Sequence, residues 1–120
     1  MVALTQIEVI ELNRLSKSEL SRLFPMPKYI ALMNWTDQGV RAVKETPKRV
    51  ESARALARKL GGKIEIHYTM GEYDAVALVE MPSDEAYNRF TLSTAALGNI
   101  RTKTLKAWTV EEFQKITDQL

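Results

Sequence analysis

Between residues 63 and 81 apolar and polar positions alternate with a period of two, and the alternation breaks once, at Gly71-Glu72. Two runs, Lys63–Met70 and Tyr73–Met81, therefore predict neighbouring strands joined by a two-residue hairpin. Glycine at the first loop position suits a type II′ turn, because positive φ costs little without a Cβ. That register sets Met70 opposite Tyr73, Thr69 opposite Asp74 and His67 opposite Val76. One face then carries Ile64, Ile66, Tyr68, Met70, Tyr73, Ala75, Ala77 and Val79, and is expected to be core. The other carries Lys63, Glu65, His67, Thr69, Asp74, Val76, Leu78 and Glu80. Half apolar and half ionisable, it reads as a solvated surface, a subunit interface or the wall of a pocket.

The rest of the chain falls into elements around this hairpin. Lys28–Trp35 is a nearly unbroken apolar run, which predicts a central strand buried on both faces. Thr36 or Asp37 can cap a short helix, and Thr46-Pro47 interrupts it, since the residue before proline avoids the α region while proline favours a first helical position. A longer helix follows, with Val50, Ala53, Leu56, Ala57 and Leu60 as its apolar stripe, and Gly61-Gly62 ends it. After Met81-Pro82, Ser83 caps a helix with Ala86, Phe90, Ser93 and Leu97 on one face, ended by Gly98-Asn99. Ile100–Trp108 reads as a strand. Thr109-x-x-Glu112 opens a terminal helix expected to be buried through Phe113, Ile116 and Leu120. Upstream, Pro25 and Pro27 set off residues 1–25 as an N-terminal extension of a domain at 26–120. Within it Thr5-x-x-Glu8 and Ser16-x-x-Glu19 fit capping boxes, the second followed by Leu20, Leu23 and Phe24, although Thr5–Leu12 also suits a strand. Met26 is an alternative start, and the extension an alternative arm onto a neighbouring subunit.

The order from residue 28 is β-α-β-β-α-β with a final helix, the α+β ferredoxin-like arrangement with an antiparallel four-stranded sheet. Helices cover one sheet face only. An apolar second face needs a partner, which predicts a homodimer or higher homo-oligomer built sheet to sheet as a dimeric α/β barrel.

Composition narrows the chemistry. The chain has 120 residues, 45% of them apolar and 27% charged, enough for one domain with a proper core. With no cysteine it has no thiolate nucleophile, zinc–thiolate site, iron–sulfur cluster or disulfide. No apolar run is long enough to span a membrane, and no signal-type leader is visible, so a cytoplasmic location without membrane contact is the default. A net charge of +2 hides a basic stretch at 41–63, with Arg41, Lys44, Lys48, Arg49, Arg54, Arg58, Lys59 and Lys63 against Glu45 and Glu51. No aromatic residue interleaves these bases to stack on nucleobases, so a solvated helix face is favoured over nucleic-acid binding. There is no phosphate loop, no Cys-x-x-Cys, no Gly-x-Ser-x-Gly elbow and no RNA-recognition aromatic pattern.

Several separated blocks resemble the GYD domain family. They are Met70-Gly71-Glu72-Tyr73-Asp74, Asn34-Trp35-Thr36-Asp37-Gln38-Gly39, Pro47-Lys48-Arg49, Leu60-Gly61-Gly62 and Leu97-Gly98-Asn99-Ile100-Arg101-Thr102. The resemblance covers about residues 26–116 and implies a small bacterial-type protein of dimeric α/β-barrel shape. It implies no particular activity or cofactor. Some proteins of the wider barrel group are cofactor-independent oxygenases, isomerases or ligand-binding modules, an analogy of fold alone.

The candidate site residues are weighed singly. His67 is the only histidine, a candidate general base or a metal or haem ligand beside Glu65 and Asp74, or else an interface residue. Asp74 could move a proton, although an aspartate beside a turn more often binds backbone amides. Thr69 faces it as a candidate ligand contact. Tyr73 is a candidate ligand contact that packs in the core unless a bulge shifts the register. Trp35 could line a pocket for a flat ligand, and Arg101 could hold a carboxylate. Met33, Met70 and Met81 read as core filler and not as a metal site. Three functions remain open: an oligomeric module binding a small molecule or serving as scaffold, a small cofactor-independent enzyme using His67 and Asp74, and a polyanion binder. The first is the preferred reading and the enzyme the alternative.

Overall fold

A computed structural model describes residues 5–16, 19–20 and 25–120. Helix α1 spans Gln6–Asn13, β1 Lys28–Trp35, α2 Asp37–Arg41, α3 Thr46–Lys59, β2 Lys63–Tyr68, β3 Ala75–Glu80, α4 Asp84–Ala96, β4 Ile100–Ala107 and α5 Val110–Thr117. The strands form one sheet in the order β2-β3-β1-β4, with every neighbouring pair antiparallel. This is the expected ferredoxin-like α+β arrangement, with β1 interior and α3 and α4 on one face.

The hairpin register is as the alternation predicts, His67 opposite Val76 and Ile66 opposite Ala77. Ala31 pairs with Ala77 on one side and Thr104 on the other, so the helix-covered face runs through Ile66, Ala77, Ala31 and Thr104. Its core comprises Tyr29, Ala31, Ala77, Val79 and Met81 from the sheet side, with Ala57 from α3 and Ala86, Tyr87 and Phe90 from α4. Tyr29 and Tyr87 stack with ring centroids 3.9 Å apart. The Tyr29 hydroxyl donates to Asp84, which also meets Lys106 Nζ at 2.6 Å. Burial, then the bond to Asp84, pushes the Tyr29 hydroxyl well up, while Lys106 first and Tyr29 second hold Asp84 below the usual carboxylate range. The cluster locks the start of α4 to the sheet.

Four expectations need correction. The connection between β2 and β3 is not a two-residue turn, for residues 69–74 all lie outside the strands. Thr69 N donates to Asp74 O at 2.9 Å and Thr69 Oγ1 to Tyr73 O at 2.6 Å. The loop backbone is drawn toward the end of β1, where Asn34 Nδ2 donates to Glu72 O at 2.9 Å. Alternation is lost there, so Met70 is 101% exposed instead of core. Tyr73 also leaves the core face: its ring lies 6.0 Å from Lys103 Nζ, and Lys103, paired with Leu32, belongs to the open face.

Strand β1 is buried on one face only, Ile30 and Leu32 remaining half-buried because no helix covers them. Ser93 in α4 and Leu97 at its C-cap stay exposed, both bordering a space between that helix, α3 and the sheet. Finally, α5 forms behind its Thr109–Glu112 capping box, yet Phe113, Ile116 and Leu120 are exposed at 53%, 42% and 99%. Its first turn is tied down by Glu112, 3.3 Å from Lys28 Nζ, and among the described residues no layer lies over its apolar stripe.

In the leader, Thr5 and Glu8 form the expected capping box, which resolves Thr5–Leu12 as helix; α1 contributes no buried residue. Glu19 N donates to Ser16 Oγ at 3.2 Å, whereas Leu23 and Phe24 lie outside the described residues.

Candidate ligand cavity

Small residues on the sheet leave a space under the helices. Ala31, Ala75 and Ala77 form the floor and Ala53 stands above it on α3, so the layers are held apart by larger groups at the edges. The result is a cavity of about 330 Å³ between the sheet, α3 and α4. Met33, Trp35, Leu56, Ile66, Tyr68 and Phe90 supply most of its apolar wall. Thr46, Thr94, Asn99 and Arg49 add a few polar groups. An apolar chamber with a few convergent polar groups is the usual form of a small-molecule site.

Its rim is built at the end of β1, where three of the blocks singled out above meet. Asp74 Oδ2 accepts from Trp35 N at 2.9 Å and from Asn34 Nδ2 at 3.4 Å. The Trp35 backbone is thereby held where the indole stacks beside Tyr68, the ring centroids 6.0 Å apart and the planes 17° from parallel. Thr36 caps α2 through Gly39 N and donates to Gly98 O at 2.5 Å, while its own amide donates to Asn99 O at 3.0 Å. Gln38 Nε2 reaches Leu97 O and Asn99 Oδ1, both at 2.9 Å. Gly39 lets the two segments touch, because a Cβ there would stand 2.1 Å from Asn99 O. Burial raises the Tyr68 hydroxyl above its ordinary range, against the opposing fields of Arg49 and Arg54.

The residues nominated from sequence divide between the two sides of the sheet. Trp35 and Asp74 border the cavity. His67 projects from the open face, its side chain 63% exposed, with Glu65 Oε1 3.2 Å from Nε2. Because Tyr68 follows His67 within β2 and so faces the other way, and its ring stacks beside Trp35, His67 and Trp35 point to opposite faces. The expected pocket joining His67, Asp74 and Trp35 is therefore not assembled by this chain's fold. Arg101 pairs with Asn34 on the open face and forms no ion pair among the described residues. Thr69 and Tyr73 serve the loop as described above.

Tyr68, Arg49, Phe90, Leu56 and Ile66 escaped nomination as site residues. The alanines at 31, 75 and 77 were the available signal, since the register places all three on the face beneath the helices.

An open-faced antiparallel sheet with two helices on one side and a chamber between them defines a ferredoxin-like domain with a ligand-sized cavity. The chain matches the GYD domain family over residues 29–117 and belongs to that family. Among curated proteins none matches it. One solved structure with a similar chain trace is described, provisionally, as a chlorite dismutase; it is 19% identical, with a TM-score of 0.48 over 78% of this chain. The match spans about half, 52%, of that protein's length.

Proposed function

We propose that this protein is a homo-oligomeric module that binds a compact, largely apolar small molecule between its sheet and helices α3 and α4. The cavity of about 330 Å³ carries this reading, at the lower end of the size range of small-molecule sites. Assembly uses the other side of the sheet. Ile30, Leu32, Val76, Leu78 and Leu105 form an apolar centre there, and Leu78 and Leu105 are 48% and 50% exposed. Lys63, Arg101 and Lys103 share that face with Glu65 and Glu80, so charges of both signs surround the centre. A patch carrying both signs is complementary to itself under two-fold rotation, which makes a second copy of the chain the fitting partner.

Two measurements test the proposal. Sedimentation at micromolar concentration is expected to give a dimer or higher oligomer, and Leu78→Asp to give folded monomer. A monomeric parent protein refutes the assembly. Calorimetric titration with naphthalene derivatives is expected to show saturable binding that Ala53→Phe, which fills the chamber from α3, abolishes. Binding unaffected by that substitution places the ligand elsewhere. The enzyme alternative, with His67 and Asp74 as its proton-moving pair, is less favoured, because His67 stands on the open face while Asp74 borders the cavity on the other side.

A further inference from the structure

Arg49 is the unusual group in the cavity wall. It stands in the first turn of α3, half-buried, and its Nη2 donates to the carbonyl of Ala42. That bond fixes the guanidinium at the mouth of an otherwise apolar chamber. Among the described residues Arg49 forms no ion pair, whereas its neighbours are matched: Lys48 lies 3.5 Å from Glu45, and Arg54 lies 3.9 Å from Glu51. Glu45 also borders the cavity, but Lys48 is the cation its carboxylate meets. No further hydrogen bond engages Nη1 or Nε of Arg49 among the described residues. A guanidinium carries five N–H donors in a planar fork that matches a carboxylate, and those not used on Ala42 are open to solvent or to an acceptor on a bound molecule.

We infer that the molecule bound in the cavity, on the reading proposed above, is a compact apolar carboxylic acid. Its carboxylate sits on the Arg49 fork. Its apolar body lies against Trp35, Leu56 and Phe90. Asn99, whose Oδ1 is taken by Gln38, has its Nδ2 to donate to the acid group, whereas the hydroxyls of Thr46 and Thr94 already donate to the carbonyl of Val43 and to those of Phe90 and Thr91. The chamber's size excludes long chains lying wholly inside it and favours a ring or a short branched body.

The test compares 2-naphthoate, 2-naphthalenemethanol and 2-naphthyl phosphate, three probes with one ring system, by calorimetric titration of the intact protein. Naphthoate is expected to bind about tenfold or more tightly than the alcohol, and Arg49→Met to remove that difference while leaving binding of the alcohol unchanged. In a Trp108→Phe background the single indole N–H resonance, from Trp35, locates the probe in the cavity. Equal affinity for acid and alcohol in the unsubstituted protein overturns the carboxylate assignment and leaves cavity binding standing. Tighter binding of the phosphate also overturns it, in favour of a phosphate ester. Absence of binding by all three probes removes the cavity reading itself. The comparison of probes in the parent protein does not depend on Arg49→Met folding.

Discussion

Replacing Asp74 by alanine tests whether this carboxylate is part of the scaffold. In the structure Oδ2 accepts from Trp35 N at 2.9 Å and from Asn34 Nδ2 at 3.4 Å. Alanine removes both, stranding a half-buried amide at the end of the central strand. A hydrogen bond to a charged acceptor contributes about 1.5–3 kcal/mol, and the longer contact adds little, so the expected loss is about 2–3 kcal/mol. For a domain of this size that corresponds to a fall in Tm of roughly 6–15 °C. Asp74→Asn keeps an oxygen acceptor and loses only its charge, so about 1 kcal/mol is expected. Urea titration with unchanged slope checks that stability, and not the unfolded state, has moved. Because Trp35 is held through this bond, its near-ultraviolet dichroism should weaken in the alanine variant. An alanine variant melting within about 2 °C of the parent would refute the assignment, and the carboxylate would then be free for chemistry.

Other outcomes follow from the same contacts. Gly39→Ala places a Cβ 2.1 Å from Asn99 O, and separating two packed segments should cost about 2–3 kcal/mol in denaturant titration. His67→Ala should change the stability of the folded chain by less than about 0.5 kcal/mol, because the side chain is 63% exposed and among the described residues meets only Glu65. Any larger effect should appear in the dissociation constant of the proposed homo-oligomer. Glu112 is held below its ordinary range, first by the Thr109 backbone N–H and then by Lys28. A carboxylate whose folded-state pKa is depressed contributes stability above its unfolded value, near 4.5, and loses it as the pH falls through the folded value. Protection factors for amide exchange in α5, corrected for the intrinsic pH dependence of exchange, should therefore fall on acidification below about pH 4.5. Glu112→Gln should give the low protection at neutral pH and remove that dependence.

The sequence by itself determined the elements and their order. Periods of two and of about 3.6, with caps at Thr5, Thr36, Ser83 and Thr109, are local signals, because pleat, helical pitch and orphan amides are satisfied within a few residues. The register of β2 on β3 was legible for the same reason, since a slip by one residue would have turned Ile64 and Ile66 away from the core. Tertiary structure decided what lies beyond that range. The loop at 69–74 takes its shape from Asn34 and Trp35, distant in sequence, whose side chain and amide capture Glu72 and Asp74 and turn Met70 outward. The cavity likewise exists only where alanines of two strands meet beneath two helices that do not close over them, and Arg49 borders it with its guanidinium bonded to the carbonyl of Ala42 in a preceding turn. A void is a property of how layers stack, and no single segment carries it.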